Sequence, residues 1–512
     1  MKHMEKRSKQ EVRKDHWFLA GLFVLIAALA GVMASEMNYS AQSDEIFSLM
    51  LVQHSWGDMI RLASEDVHPP LYYMIVKIFV DCFGSGDLYR DVLIAKIISI
   101  LPLWLLLAIS ATDVRKCYGR RTGILFAGFV IGFPSIIHIS SLIRMYSWGL
   151  LFVTIAGMMA VSIMQSLDSK RTRIIFCISS IAACYTHYYC DIAIFYLYLL
   201  LIIYLAKRRR PVKRLIIQST IVVISFVPWL GVLLNQAKTV TADYWISKIG
   251  FSSILDYTKF YFAPYTDSTA IRIPLEVLMV LIVAIIVVDS VRNRRWNVLY
   301  LLSNAFCVAV TGILISWAIR PVFVSRYVLP SCGLFSLGIA IGISYMLPNA
   351  LLKDQIPVKM TLRRLTGLCM LIIATGVSLI DVLSFSKNEI MYGKNFRTIQ
   401  HDLIVPIQQT HDGGKKSIII TDSSYLHLAL CYYIPDATIY SVGFNVTEYF
   451  HRLSVTNNID EYSSTINTKD SDVWIVDSMN YDTNLLQLIG TSNTSPISET
   501  LEQEQMLVYH MY

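Results

Sequence analysis

Residues 17–35 read WFLAGLFVLIAALAGVMAS, an apolar run without a charged side chain. A helix needs about 20 such residues to cross the hydrocarbon core of a bilayer, so this run predicts a membrane span. A basic leader precedes the run and small residues end it, which also fits a cleaved signal peptide. Because many similar runs follow, the sequence favours a retained first helix.

The composition of the whole chain is that of a membrane protein. Of its 512 residues, 54% are hydrophobic and only 16% are charged, and the mean hydropathy is +0.51. The formal net charge of +7 comes from basic residues that lie between the apolar blocks, so it does not indicate a nucleic-acid partner. The nine cysteines show neither metal-ligand nor paired spacing, and we expect no disulfide framework.

Further apolar runs follow the first, and together they predict a polytopic α-helical protein with about 11 membrane spans. They cover residues 91–112, 122–140, 146–166, 173–187, 189–206, 214–235, 273–291, 296–318, 328–347 and 365–384. The apolar residues in these runs are continuous instead of recurring at a helical or strand period, as expected for helices that face lipid.

The basic residues test this count, because cytoplasmic loops are enriched in Lys and Arg. With the N-terminus in the cytoplasm, every basic cluster falls in a cytoplasmic loop. The clusters are Arg115, Lys116, Arg120 and Arg121; Lys170, Arg171 and Arg173; Lys207 to Arg210 with Lys213 and Arg214; Arg292, Arg294 and Arg295; and Lys353, Lys359, Arg363 and Arg364. The pattern holds only if the apolar stretch Leu71–Val80 does not cross the membrane. That stretch is short, follows Pro69-Pro70 and carries Lys77, which predicts an interfacial or re-entrant helix.

This topology divides the chain into three parts. Residues 1–16 form a basic cytoplasmic N-terminus, residues 17–384 form the transmembrane domain with a first outer loop at 36–90, and residues 385–512 lie outside. The last part is polar with four strand-like runs, which indicates a small α/β domain. The runs are Ser417–Thr421, Ala437–Val442, Val473–Val476 and Met506–Tyr512. Asp422 and Asp477 follow two of them, where ligands often bind; a structural or acceptor-docking domain is the alternative.

The first outer loop carries an acidic pair and a second polar group. Asp44-Glu45 comes soon after the first span, and Glu65-Asp66-Val67-His68-Pro69-Pro70 follows an amphipathic stretch. A carboxylate at the edge of the hydrocarbon acts as a general base or binds a cation, because the low local dielectric strengthens its interactions. The proline after His68 holds that residue extended beside the acids. The alternative is a solvated loop whose acids cap short helices.

Other polar residues fall on the same predicted side of the membrane. They are Arg144 and Tyr146 between the third and fourth spans, His187 in a short outer turn, and Arg320, Arg326 and Tyr327 around the start of the tenth span. Any one of them alone is more often an interfacial anchor than a ligand. Arginines that converge near the headgroups suit a lipid phosphate or pyrophosphate, which they bind in bidentate fashion. The combination predicts group transfer from a lipid-phosphate donor at the outer leaflet.

The order of these motifs resembles the bacterial branch of the GT-C glycosyltransferases, which includes the protein O-mannosyltransferases and the aminoarabinose-lipid A transferases. The motifs that carry the resemblance are Asp44-Glu45, His68-Pro69-Pro70-Leu71-Tyr72-Tyr73, Arg144-Met145-Tyr146, Thr186-His187-Tyr188 and Arg326-Tyr327. The resemblance covers about residues 17 to 384. The outer C-terminal part matches no subfamily.

The resemblance implies a fold of many transmembrane helices, with the first outer loop folded into juxtamembrane helices over a cavity. It implies a polyprenyl-phosphate sugar donor and transfer with inversion, outside a bacterial cytoplasmic membrane, to a hydroxyl of a glycan, lipid or protein. Asp44 is then the candidate base. The candidates for holding the lipid phosphate are Arg144, Tyr146, His187, Arg320, Arg326 and Tyr327.

The second polar group of the outer loop has a less defined role in the family. Glu45, Glu65, Asp66 and His68 resemble residues that border the cavity and sometimes a metal, so a divalent cation is left open. In the aminoarabinose transferases a lysine occupies the position before the prolines. Here it is His68, so the chain departs from those transferases at this position.

Two other classes of function are left open by the sequence. A transporter or flippase of lipid-linked sugars would also use a basic outer cavity, but paired repeats or charges at mid-membrane are then expected. A polysaccharide polymerase or ligase would use polyprenyl carriers and outer arginines, but these enzymes usually place their large outer loop late in the chain. This chain has its polar loop first, which favours the transferase.

Overall fold

The structure is a computed structural model of the chain. It describes residues 2–37, 41, 43–239, 249–263, 266, 268–319, 321–347, 362–398, 404–410, 415–422, 426–441, 456–458, 471–477, 494–500 and 506–511. Arg320, one of the candidate phosphate ligands, lies outside the described residues.

The first part of the chain is helical. Its helices up to the third predicted span are Lys2–Glu36 (α1), Ser43–Gln53 (α2), Trp56–Glu65 (α3), Leu71–Phe83 (α4), Leu88–Ile109 (α5), Arg115–Tyr118 (α6), Arg120–Gly132 (α7) and Pro134–Ser141 (α8). The later helices are Tyr146–Met164 (α9), Lys170–Cys184 (α10), Tyr188–Lys207 (α11), Lys213–Thr239 (α12), Phe251–Phe262 (α13), Thr269–Arg292 (α14), Trp296–Ala318 (α15), Leu329–Met346 (α16) and Leu362–Thr398 (α17). A π-helical turn, Ser110–Val114, joins α5 to α6, and a 3₁₀ turn, Ser325–Val328, precedes α16.

Nine of the described helices are long and apolar enough to cross a membrane, and the pair α7 and α8, bent by 61°, makes up to ten. The chain is therefore an integral membrane protein, as the composition predicts. The predicted span at 173–187 corresponds to α10, whose 15 residues reach only about 22 Å at 1.5 Å per residue, short of a hydrocarbon core of about 30 Å. When the bent pair α7 and α8 is counted as one span, α10 is the one predicted span that is not among these ten.

The apolar stretch after the two prolines behaves as predicted. It forms α4, a helix of 13 residues that spans about 20 Å and is too short to cross a bilayer. The Lys77 ammonium group on this helix donates to the carbonyl of Val52 at 3.0 Å and to Asp81 at 3.0 Å. A buried amine with two acceptors belongs to a folded outer loop and not to a lipid-facing span.

Small residues let α9 and α16 approach closely. A Cβ added at Gly333 of α16 would lie 1.9 Å from the Thr154 Oγ1 of α9, and one added at Gly157 of α9 would lie 2.3 Å from Leu334. Because lipid gives helices no hydrophobic reason to associate, such close backbone packing is the main attraction between them. The two helices form the centre of the membrane part.

We expect Gly333→Ala to destabilise the protein. The new methyl group displaces the Thr154 hydroxyl, which donates to the carbonyl of Leu150 at 2.6 Å, and overpacking of this kind costs about 1–3 kcal/mol. The melting temperature in detergent should fall, despite the ~1 kcal/mol that Ala gains over Gly in a helix. Gly376→Ala in α17 is the control, because nothing lies within 4 Å of its added Cβ. Equal melting temperatures for the two variants would contradict the packing argument.

The C-terminal part contains an α/β domain, as predicted. Helices Val405–Thr410 (α18) and His427–Tyr433 (α19) accompany six strands, Lys416–Thr421 (β1), Thr438–Ser441 (β2), Thr456–Asn458 (β3), Ser471–Asp477 (β4), Thr494–Thr500 (β5) and Met506–Met511 (β6). The sheet order is β3-β2-β1-β4-β6-β5, in which β1 to β4 pair in parallel and β5 and β6 antiparallel. The four predicted strands are confirmed. The sequence did not predict β3 and β5, because both are polar and β5 contains a proline.

The described chain forms two compact units. The first contains residues 1–33, 66–72 and 98–386, and the second contains residues 34–65, 73–97 and 387–512. The first outer loop is thus divided: its short middle segment belongs to the membrane unit, and the remainder shares a unit with the C-terminal domain. The domain boundaries expected from the sequence stay a prediction.

Candidate active site

The middle segment of the outer loop, residues 66–72, is anchored within the membrane unit. Pro69 and Pro70 have no N–H, so Leu71 supplies the first one, and it donates to the carbonyl of Tyr185 at 3.0 Å. The Tyr72 hydroxyl lies 2.8 Å from that of Ser99 on α5. These bonds hold the segment against the turn between α10 and α11.

His68 is held in this segment by its neighbour Asp66. Its Nδ1 lies 3.1 Å from the Asp66 carboxylate, and only 4% of the histidine is exposed. Burial opposes ionisation of Asp66, but hydrogen bonding from His68, the charges of His68 and Arg144, and the Val67 N–H outweigh it and lower the pKa of the carboxyl. Asp66 is therefore an anion that orients the His68 ring.

His187 lies opposite His68, with 5.3 Å between the ring centroids. It caps the N-terminus of α11, where its Nδ1 accepts the Tyr189 N–H at 3.1 Å. The neutral ring therefore carries its hydrogen on Nε2. Burial, followed by the positive charges of His68, Arg144 and Arg326, holds the pKa of His187 well below its usual range.

Two arginines and two tyrosines complete the site. Arg144 precedes α9 and is 6% exposed, and Tyr146 begins that helix and is 1% exposed. Arg326 and Tyr327 lie in the 3₁₀ turn before α16. The Tyr327 ring is 5.0 Å from His187 and 6.3 Å from Tyr146. Residues from four separated parts of the chain therefore meet in one place.

We call Asp66, His68, Arg144, His187 and Arg326 the basic cluster. The two guanidinium groups and His68 all act on His187, and Asp66 is the carboxylate that interacts with His68 and Arg144. The cluster itself holds two guanidinium groups and one carboxylate, and His68, Arg144 and His187 in it are buried. A phosphate-sized anion is the ligand that such a group binds best, because arginine pairs with phosphate oxygens through two parallel hydrogen bonds.

The lowered pKa of His187 predicts acid sensitivity. Below pH about 6.5 the unfolded chain takes up a proton that folded His187 does not, so stability falls as the pH drops, by at most about 1.4 kcal/mol per pH unit. His187→Asn keeps an acceptor for the helix N-terminus but does not titrate. We expect its melting temperature to fall less steeply than that of the unmodified protein between pH 6.5 and 5. Parallel curves would show that His187 is protonated in the folded state.

The other candidate residues of the outer loop belong to the second compact unit. Asp44 is exposed in the first turn of α2, whereas the adjacent Glu45 is only 3% exposed. Glu65 ends α3 and pairs with Arg61 at 3.7 Å. The Asp44 side chain is thus accessible to an acceptor hydroxyl, whereas the buried Glu45 side chain is not.

Metal ligation was left open for these carboxylates and His68. Within the described ranges, no group of three or more His, Cys, Asp or Glu side chains is placed to hold a metal ion. The Asp66 carboxylate is engaged by His68. We assign no step to a divalent cation.

Tyr189 is a part of the site that the sequence did not single out. Its ring lies 5.3 Å from Tyr327 and 5.8 Å from His187, and its hydroxyl donates to the carbonyl of Val322 at 2.9 Å. It joins the start of α11 to the segment before α16. The signal in the sequence was its position two residues after His187, but aromatic residues are so common in membrane helices that the position alone carries little information.

The fold of many membrane helices followed by a sheet domain is also found among solved structures. Among solved structures, ArnT from Cupriavidus metallidurans in the apo state matches with a TM-score of 0.61 at 12% identity, over 97% of this chain and 98% of that chain. The same ArnT bound to undecaprenyl phosphate matches with a TM-score of 0.57 at 12% identity, over 95% and 97% of the two chains. The aminoarabinose-lipid A transferase resemblance is thus confirmed for the fold.

No protein-family model matches the chain, and no curated protein matches it in sequence. At 12% identity to ArnT, the likeness establishes the fold, and the reaction has to be inferred from the residues of the site.

Proposed function

We propose that the protein is a glycosyltransferase that moves a hexose or pentose from a polyprenyl-phosphate-linked donor to an acceptor hydroxyl, with inversion. The observation that carries this proposal is the basic cluster, in which the His68 ring lies 5.3 Å from His187. Tyr146 and Tyr327, which adjoin Arg144 and Arg326 in the sequence, lie 5.6 and 5.0 Å from the same His187 ring. A lipid phosphate is an anion that two converging guanidinium groups are suited to bind. The solved ArnT structure with bound undecaprenyl phosphate has the same fold and supports this type of donor.

The donor phosphate is held by the basic cluster in this proposal. Arg144 and Arg326 bind its oxygens, the neutral His187 donates through Nε2, and Tyr146 and Tyr327 form the wall beside it. Asp66 keeps His68 oriented toward the site. When the bond between the sugar and the phosphate breaks, the phosphate gains a negative charge, and preorganised cations stabilise that charge more in the transition state than in the ground state.

The acceptor is activated by Asp44 in this proposal, as the GT-C resemblance implies. The Asp44 carboxylate takes the proton of the acceptor hydroxyl while that oxygen attacks the anomeric carbon of the sugar. The bond from this carbon to the phosphate oxygen breaks, and its electron pair leaves with the polyprenyl phosphate. One in-line displacement inverts the anomeric carbon, so a single base is sufficient.

The proposal also fixes an orientation. With α10 counted as a crossing helix, all the Lys- and Arg-rich loops lie in the cytoplasm. The N-terminus then lies inside, and the first outer loop and the C-terminal domain lie outside a bacterial cytoplasmic membrane. The acceptor is a glycan, lipid or protein hydroxyl on that outer side.

An assay of donor turnover tests the reaction. Membranes that contain the protein and its native acceptor are given a polyprenyl-phosphate sugar labelled in the sugar. We expect label in a membrane or wall acceptor and one polyprenyl phosphate released per sugar transferred. Movement of intact donor across the membrane would instead indicate a flippase. If this donor is not used, and a polyprenyl-pyrophosphate-linked glycan is used instead with release of polyprenyl pyrophosphate, the protein is a polymerase or ligase. Mass spectrometry of glycans from a deletion strain then identifies sugar and acceptor together.

A further inference from the structure

The C-terminal domain contacts the first outer loop through one short helix. In the second compact unit, α19 of the C-terminal domain packs against α2, whose first turn carries Asp44 and Glu45. The last two residues of α19 are Tyr432 and Tyr433, which are 2% and 3% exposed. Two large polar side chains this deeply buried are held by specific neighbours.

Both tyrosines contact the end of the outer loop, where α5 begins. The Tyr432 hydroxyl donates to the carbonyl of Leu88 at 3.2 Å. The Tyr433 ring stacks on Tyr89, with 5.4 Å between centroids and 25° between planes. Stacked aromatic pairs and a backbone hydrogen bond together fix both the distance and the orientation of this loop end.

Tyr433 also contacts the start of the outer loop. Burial raises the pKa of its hydroxyl, the backbone N–H of Ala41 acts against this, and the nearby Glu45 carboxylate adds to the rise. The carbonyl of Tyr433 accepts a hydrogen bond from Gln408 of α18 at 3.2 Å. Tyr433 is thus held from inside the C-terminal domain while its side chain lies between the two ends of the loop.

We propose that α19 positions the outer loop for catalysis, with Tyr432 and Tyr433 tying its two ends together and setting the direction of the helix turn that carries Asp44. The proposal rests on the function proposed above, because it makes the C-terminal domain part of the machinery that orients the base. The domain is then needed for turnover and not for binding the donor phosphate. The physical reason is that general-base catalysis requires hydrogen-bond contact with the acceptor, and an error of about 1 Å costs about 100-fold in rate.

Variants of Tyr433 separate positioning from simple structural support. We expect Tyr433→Ala to lower kcat about 100-fold, because it removes the ring that stacks on Tyr89. Tyr433→Phe keeps that ring and should restore kcat to within about fivefold of the unmodified protein. The KM for the donor should stay within about twofold in both, since the basic cluster is unchanged. Tyr440→Phe on β2 removes a hydroxyl elsewhere in the same domain and is the matched control.

Hydrogen exchange of the α2 amides gives a readout that does not depend on activity. Faster exchange in residues 43–53 of Tyr433→Ala, and near-normal exchange in Tyr433→Phe, would support the proposed positioning role of Tyr433. Unchanged exchange together with unchanged kcat would overturn the proposal, as would a loss of activity that appears in the donor KM alone.

If exchange responds but the unmodified protein transfers no sugar, the proposed reaction is wrong and the contact is real. If Tyr433→Ala does not fold, Tyr432→Phe, which removes only the bond to Leu88, tests the same point.

Discussion

We expect the Asp44→Asn variant to lose about 10²- to 10⁴-fold in kcat, the range that a positioned general base contributes. Asn has the same shape and still suits the first turn of α2, so the helix remains intact. It cannot accept the proton of the acceptor hydroxyl. The donor should bind with unchanged affinity, because the proposed phosphate ligands are elsewhere in the sequence. Release of polyprenyl phosphate from a labelled donor, measured with a separate binding assay, gives both quantities.

Asp58→Asn is the matched control for this variant. Asp58 is another exposed carboxylate of the outer loop, bonded to Ser55 and Arg61 on α3. Removing it should change kcat less than about threefold, since exposed ion pairs are worth little. Transfer by Asp44→Asn at the rate of the unmodified protein would remove Asp44 from the role of base.

The second large effect is expected at the arginines. Replacing either Arg144 or Arg326 with Gln should raise the KM for the donor by roughly 10- to 150-fold, because a hydrogen bond to a charged group is worth about 1.5–3 kcal/mol. Lysine at either position should recover only part of this loss, since it provides a point charge and not the planar pair of donors. Steady-state kinetics with the labelled donor measures the change, and a binding assay with polyprenyl phosphate alone measures its ground-state part.

Arg208→Gln is the control for the arginine variants. Arg208 follows the last residue of α11, the helix that His187 caps at its other end. The 20 residues of α11 place it about 30 Å from the basic cluster at 1.5 Å per residue. Arg208 is therefore a basic residue too far from the basic cluster to contact the phosphate of a donor bound there. An equal rise in KM for Arg208→Gln would mean that general charge at the membrane surface, and not the basic cluster, attracts the donor.

The sequence predicted the membrane part well because membrane insertion depends on local composition. Backbone groups in lipid have to bond within their own segment, so a long apolar run becomes a helix whatever surrounds it. The run 17–35 and its successors therefore predict most of the observed spans. Lys77 and the two prolines before α4 were enough to identify that helix as part of the outer loop. The strands β1, β2, β4 and β6 were likewise visible as local apolar runs.

The neighbours of each polar side chain were decided by the tertiary structure. Glu65 and Asp66 are adjacent in the sequence, yet Glu65 is paired with Arg61 on an exposed face of α3 and Asp66 orients the buried His68. Asp44 and Glu45 likewise differ in exposure, one outward and the other buried. The sequence cannot distinguish the two members of such an adjacent pair, because the residues that contact each side chain come from elements far away in the chain.

The apolar runs by themselves determined that this chain crosses a membrane repeatedly and predicted most of the helices that do so. Packing between distant elements alone decided that His68, Arg144, His187 and Arg326 form one cluster, that Tyr189 joins it, and that α19 of the C-terminal domain contacts both ends of the outer loop. The reason is that a helix in lipid is stabilised by bonds within a few residues. A charged cluster is stabilised by contacts between residues that only the folded chain brings together.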